Sequence, residues 1–237
     1  MSRGDLESQP PAPNLREGQH RSPFTSILEA LCGSCAGSLA AAIADQEGEC
    51  VDLATARTVG GAAPSMPAYL VKLCVAHWQI VMSQIAAVAP RQLWIDADNT
   101  GYVVHALQHG YVLTLVCRAR ALATVSWRAL RQCEVELALE AGWPLQDPDE
   151  GGWLRTRTEL DATGKPRAVW IGDRWVGDLG LEPVAGPTKS FERVYRPTSS
   201  GAPLSQLVRE ATGLWYARCS LAEMKVAHEK SVRARGR

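Results

Sequence analysis

Two hydrophobic rhythms alternate along residues 23–143. In "SPFTSILEALCGSC" the apolar positions Phe24, Ile27, Leu28, Leu31, Cys32 and Cys35 recur at helical spacing, behind Ser22 as N-cap and Pro23 at the first helical position. Gly33 weakens this helix and Gly37 is expected to end it. "SLAAAIAD" and "CVDLATA" then have the character of two strands around the acidic turn "QEGE", a hairpin. A loop, "RTVGGAAPSMP", leads to a long helix predicted from about Pro67 to Val88. "RQLWIDAD", "GYVVHALQ" and "YVLTLVCRA" follow as strong β-formers joined by the tight turns "DADNTG" and "QHG", an antiparallel meander. A final helix is predicted from about Thr124 to Ala141, stopped by "GWP". The order α-β-β-α-β-β-β-α predicts an α+β domain on a five-stranded antiparallel sheet.

The long helix carries more apolar surface than one sheet requires. Projected at about 100° per residue, it shows a wide arc that includes Leu70, Cys74, Trp78, Val81 and Ile85. Between two polar notches lies a narrower stripe: Tyr69, Leu73, Ala76, Ile80 and Ala87, flanked by His77 and Gln84. One arc suffices to pack a helix on a sheet. A second stripe calls for a second partner, either the rest of its own domain or another copy of the chain. Its heptad-like spacing favours a helix–helix seam across a symmetric dimer. Tyr69, Leu73, Ala76, His77, Ile80, Gln84 and Ala87 are therefore the candidate dimer interface.

Beyond Trp143 the pattern changes. "PLQDPDEGG", residues 144–152, is rich in Pro, Gly and acid and is expected to be a linker. Across 153–219 short strand-like runs alternate with turns: "WLRTRTEL", "RAVWIG", "RWVGDLGLEPV", "SFERVYR", "PLSQLVRE" and "GLWYARC". Their spacing predicts a small all-β, barrel-like module. Residues 220–237 are expected to be a frayed helix running into a basic tail, and the Pro-rich residues 1–22 a disordered one.

Charge sharpens this division. The chain is formally neutral, but residues 1–150 carry 10 Lys/Arg and 16 Asp/Glu, a charge of −6. Residues 151–237 carry 15 and 9, a charge of +6. Two modules with different surfaces are expected. No apolar run is long enough for a membrane span and no secretory h-region opens the chain, so a cytoplasmic protein without a membrane partner is expected. The 7 cysteines are odd in number and scattered, unlike a disulfide framework.

Motifs that suggest chemistry weaken in context. Cys32–Gly33–Ser34–Cys35 has redox or half-zinc spacing, but it falls late in a helix, where the dipole disfavours a thiolate. A second ligand pair is missing: Cys50, Cys74, His77, His105 and His109 offer none at zinc spacing on a suitable element. Asp45, Glu47 and Glu49 suit a solvated turn, and Asp96 with Asp98 lacks the remaining calcium-loop ligands. There is no P-loop and no Ser nucleophile elbow. No catalytic, metal or cofactor residue is assigned, and no cofactor is expected. In the basic half Trp153, Trp170, Trp175, Tyr195, Trp215 and Tyr216 are interleaved with arginines. They either fill a small core or stack on single-stranded nucleic acid.

The helix "FTSILEAL", the hairpin "AAIADQEGECVDLA" with its acid-Gly turn at Asp45–Glu49, the long central helix and the following meander and helix together resemble the roadblock family of small dimeric domains over residues 23–143. The resemblance implies a homodimer joined through sheets and central helices. It also implies binding to a Ras-like small GTPase, as a regulator of motility or polarity in bacteria or a dynein or lysosomal scaffold in eukaryotes. It implies no active site. The expected function is thus a non-enzymatic, dimeric signalling scaffold that binds a small GTPase, with 153–237 available to a further protein partner. The alternative is an adaptor that binds nucleic acid through the basic aromatic module.

Overall fold

In a computed structural model, the structure describes residues 22–56, 80, 91–145, 152–176, 179–184 and 192–235. The first half builds the expected sheet. Helix α1 (Pro23–Ser34) leads into β1 (Ser38–Ala44) and β2 (Cys50–Thr55). Then come β3 (Gln92–Asp96), β4 (Thr100–Ala106), β5 (Val112–Arg118) and helix α2 (Trp127–Ala141). The strands form one antiparallel sheet in the order β2-β1-β5-β4-β3.

The caps explain the helix limits. Ser22 Oγ accepts the N–H groups of Phe24 and Thr25 and itself donates to Asp52 of β2. Thr25 Oγ1 also donates to Asp52, at 2.9 Å, so a carboxylate sits at the positive end of α1. The helix ends at Ser34, before the expected Gly37, because Cys35 already has an extended backbone. Helix α2 begins at Trp127 and not near Thr124: residues Ala119–Thr124 wind as 3-10 turns, and Ser126 caps α2 by accepting Ala129 N–H. Gly142, at φ 70°, closes it in the left-handed conformation.

Both faces of this sheet are buried. Ala41, Ile43, Val103, Leu113, Leu115 and Cys117 face α1 and α2. Ala40, Ala42, Ala44, Val104, Val112 and Val116 form a second cluster on the opposite face. Burial on two sides explains why "LAAAIA", after Ser38, is apolar throughout instead of alternating.

The second half is a seven-stranded antiparallel sheet, curled into a half-barrel with open edges. Its strands are β6 (Gly152–Leu160), β7 (Pro166–Ile171), β8 (Arg174–Trp175), β9 (Leu181–Pro183), β10 (Arg193–Pro197), β11 (Leu204–Arg209) and β12 (Trp215–Cys219). Their order is β8-β7-β6-β12-β11-β10-β9. The run "RWVGDLGLEPV" contributes two short strands, β8 and β9, that lie at opposite edges. Helix α3 (Leu221–Arg235) follows. Met224 is buried on this sheet, Arg174 pairs with Glu223, and His228 Nε2 lies 3.1 Å from Glu140 of α2.

Helix α2 joins the halves. Leu130, Cys133 and Leu137 enter the core of the first sheet, while Val135 belongs to the core of the second. Trp153, Val208 and Tyr216 of the second sheet extend into the first core.

Gly33 and Gly37 differ in what the backbone asks of them. Gly33 lies in α1 with open space where a Cβ would be. Gly37 has φ +77°, and an added Cβ would come within 2.6 Å of Ala121 Cβ. Gly37→Ala is expected to destabilise the chain by about 2 kcal/mol or more, from left-handed strain plus overlap. Gly33→Ala is expected to be neutral or stabilising by up to about 1 kcal/mol. Urea midpoints of the two variants check the contrast.

Candidate functional site

The candidate dimer seam is reached by the structure at one position. Ile80 is helical and 60% exposed within the chain. Tyr69, Leu73, Ala76, His77, Gln84 and Ala87 lie outside the described residues.

The dithiol motif straddles the end of α1: Cys32 lies in its last turn and Cys35 just beyond it, in extended backbone. Cys32 and Cys35 are buried in the core between α1, α2 and the sheet. Burial pushes the Cys32 thiol up to about 12 and the Cys35 thiol up to about 11. Both are therefore protonated at neutral pH and poor nucleophiles. Cys117, Cys133 and Cys219 are buried as well, and Cys50 is exposed.

The other clusters resolve into turn chemistry. Asp45 Oδ1 accepts the backbone N–H groups of Glu47 and Glu49, at 3.1 and 2.8 Å, and Gly48 takes φ +79°. This is a side-chain-closed turn. Asp96 ends β3, and His109 sits in the β4–β5 turn with φ 54°. Among the described residues no three His, Cys, Asp or Glu side chains converge as a metal would require. Nor is any described helix long and apolar enough to cross a membrane.

The aromatics of the second half are mostly core. Trp153, Tyr195, Trp215 and Tyr216 are buried, and Tyr195 stacks at 5.9 Å from Trp215. Trp170 is partly covered by the Arg157 guanidinium at 4.4 Å, which leaves Trp175 as the openly exposed ring. Four of the six rings thus have no face to offer a base.

Sequence reasoning missed what happens around α2. Arg128 is 5% exposed, at the junction of the two sheets. Its guanidinium makes a fork with Glu192, at 2.9 and 3.1 Å, and a further bond of 2.9 Å to Glu210. Glu210 also accepts from the cap residue Ser126 at 2.8 Å. The rings of Trp127 and Trp153 stand 4.7 and 4.6 Å from the same guanidinium carbon. Burial alone would lower the Arg128 pKa. The hydrogen bonds and charges of the two glutamates outweigh that and hold it above its ordinary value.

One turn along α2 lies a second polar cluster. Glu134 accepts from Arg131 at 2.7 Å and stands 3.2 Å from Nε2 of His105, a buried residue of β4. Burial would raise the Glu134 pKa, but the His105 and Arg131 contacts lower it further than burial lifts it. These residues line a cavity of about 400 Å³ between the two sheets. The only sequence signal for it was the Arg131/Glu134 spacing on one helix face.

Two outcomes are expected. Under native conditions a maleimide should label Cys50 rapidly and Cys32 and Cys35 only at the rate of unfolding, as mass spectrometry would show; fast modification of either buried thiol would contradict their placement. Arg128→Met should cost about 3–5 kcal/mol in chemical denaturation, because it strands two glutamates. Adding Glu192→Gln and Glu210→Leu should recover most of that loss.

By sequence the chain matches no family model and no curated protein. By structure it is similar to a Roadblock/LC7 domain from Streptomyces avermitilis at 16% identity and a TM-score of 0.36, over 43% of this chain and 82% of that one. It is similar to the gliding protein MglB of Thermus thermophilus at 16% identity and a TM-score of 0.43, over 50% of this chain and 88% of that one. It is also similar to MglC of Myxococcus xanthus at 16% identity and a TM-score of 0.37, over 50% and 98%. Each of these likenesses covers about half of the chain.

Proposed function

We propose that this chain is a non-enzymatic, dimeric scaffold that binds and regulates a Ras-like small GTPase. The observation that carries the reading is the order of the described elements within 23–143 together with their strand order, β2-β1-β5-β4-β3. The resemblance of that segment to roadblock domains brings the dimer and the GTPase. Ile80 supports the seam: it is an apolar side chain, helical and 60% exposed, in the middle of the stripe Tyr69, Leu73, Ala76, Ile80 and Ala87. A symmetric seam would bury it against its own image. Such a scaffold works by preferring one arrangement of the GTPase's mobile loops over another.

The full chain is expected to elute as a dimer in light scattering, twice its 25.7 kDa. Ile80→Asp and Leu73→Asp should each give monomer, and an unchanged mass in both would remove the seam. Immobilised chain should retain a Ras-like GTPase from the same source unequally in its GDP- and GTP-analogue-loaded forms. Equal absence of binding in both forms would remove the GTPase.

A further inference from the structure

One end of the β10–β11 ladder carries charge on both faces, and only one face is neutralised. Arg193 of β10 lies directly opposite Arg209 of β11. Glu192 precedes the first and Glu210 follows the second. Successive side chains along a strand point to opposite faces. Glu192 and Glu210 turn to Arg128, which bonds each of them at 2.9 Å. Arg193 and Arg209 therefore turn to the other face. There Arg209 is the register partner of Trp215 on β12, and Tyr195, two residues on from Arg193, stands 5.9 Å from the Trp215 ring.

Like charges set directly opposite each other on neighbouring strands repel. Such side chains leave the backbone about 5 Å apart, so both guanidinium groups can converge on one ion. The glutamate pair has that counter-ion in Arg128. The arginine pair has none: among the described residues neither Arg193 nor Arg209 forms an ion pair. Arg209 is partly buried, with its guanidinium carbon 5.9 Å from the Trp215 ring centre. Its Nε is shut off from solvent and has no hydrogen-bond partner among the described residues. Buried donors are normally satisfied, and an unmet one calls for an acceptor. Arg193 is exposed, which opens the pair to solvent. Residues 151–237 carry a net +6, so the surrounding field draws anions to it.

We propose that Arg193 and Arg209 form a phosphate-binding site, bridged by one phosphate group as Arg128 bridges Glu192 and Glu210 on the opposite face. Two guanidinium groups carry two positive charges, and one phosphate dianion cancels both, whereas a single carboxylate cancels one. Guanidinium N–H groups also match the paired oxygens of a phosphate. Tyr195 and Trp215 are 6% and 9% exposed, so they offer no open ring for a ligand to stack on. The site therefore recognises the phosphate itself, whether free or carried as a monoester. Bound phosphate removes the repulsion between β10 and β11 and stabilises the chain by mass action. This binding is independent of the GTPase scaffold role, and either can fail without the other.

The test is calorimetry on the full chain at constant ionic strength, with inorganic phosphate and a short capped phosphoserine peptide as probes. Saturable one-to-one binding with a Kd of roughly a millimolar or tighter is expected for at least one of them. The same peptide without its phosphate should not bind measurably. Tighter binding of the phosphopeptide would assign the site to a phosphorylated partner, and equal or tighter binding of inorganic phosphate to the free ion. Arg193→Gln and Arg209→Gln should each weaken the better probe by about tenfold. Arg157→Gln should leave it unchanged, because Arg157 adjoins Thr156, the register partner of Trp215, and so lies on the opposite face, over Trp170. Should Arg209→Gln fail to fold, Arg209→Lys keeps the charge and the stem without the fork, and it too should lose affinity. No saturable signal from either probe at about 10 mM would overturn the proposal. So would an affinity unchanged in every folded variant at Arg193 and Arg209.

Discussion

Arg128 is a full positive charge held where 7% of its side chain meets solvent. Taking a guanidinium out of water costs several kcal/mol, and the cost is offset only if the surrounding geometry is good. Here it is met by a two-bond fork to Glu192, a third bond to Glu210 and two indole rings. The partners outside α2, Trp153, Glu192 and Glu210, belong to β6, to the residue ahead of β10 and to the residue after β11, so one side chain of α2 fixes three parts of the second sheet. Apolar contact between the halves would tolerate sliding, because burial is non-directional. A buried fork does not, since a small displacement leaves a carboxylate unpaired in a poor solvent.

The rest of the junction follows from that fixed point. The cap of α2 shares the network, because Ser126 both accepts Ala129 N–H and donates to Glu210. Further along, Val135 enters the second core, and Glu140 meets His228 of α3. On the other side Arg155 of β6 donates to Gly33 O at the carbonyl end of α1, a favourable place for a cation.

How far the sequence could be read depended on whether a feature was local. The hairpin, the meander and the Ser22 cap of α1 were legible because alternation, turn residues and Ser-Pro signals act within a few positions. The start of α2 was expected near Thr124, three residues early, whereas Ser126 decides the boundary through its own side chain. Cys32 was legible as core for the same local reason, since its spacing puts it on the apolar face of α1, while Cys35 is buried just past the helix end, in extended backbone. The Arg128 network was not legible, because its partners lie 64 and 82 residues away and no periodicity names a pairing over that distance. Nor could the aromatic content of the second half reveal that Trp153 and Tyr216 close the first core instead of forming a platform.

Net charge is the feature whose meaning changes most. Formal charges of −6 and +6 on the two parts of the chain suggest that bulk attraction brings them together. At the buried centre of the junction the signs are the reverse. The acidic part supplies the arginine, and the basic part supplies both glutamates. Attraction between exposed charges is screened within about 8–10 Å at physiological salt, while a pair excluded from solvent is not. The surface asymmetry therefore bears on which partners approach each half. The docking of the halves is decided by three side chains that oppose it.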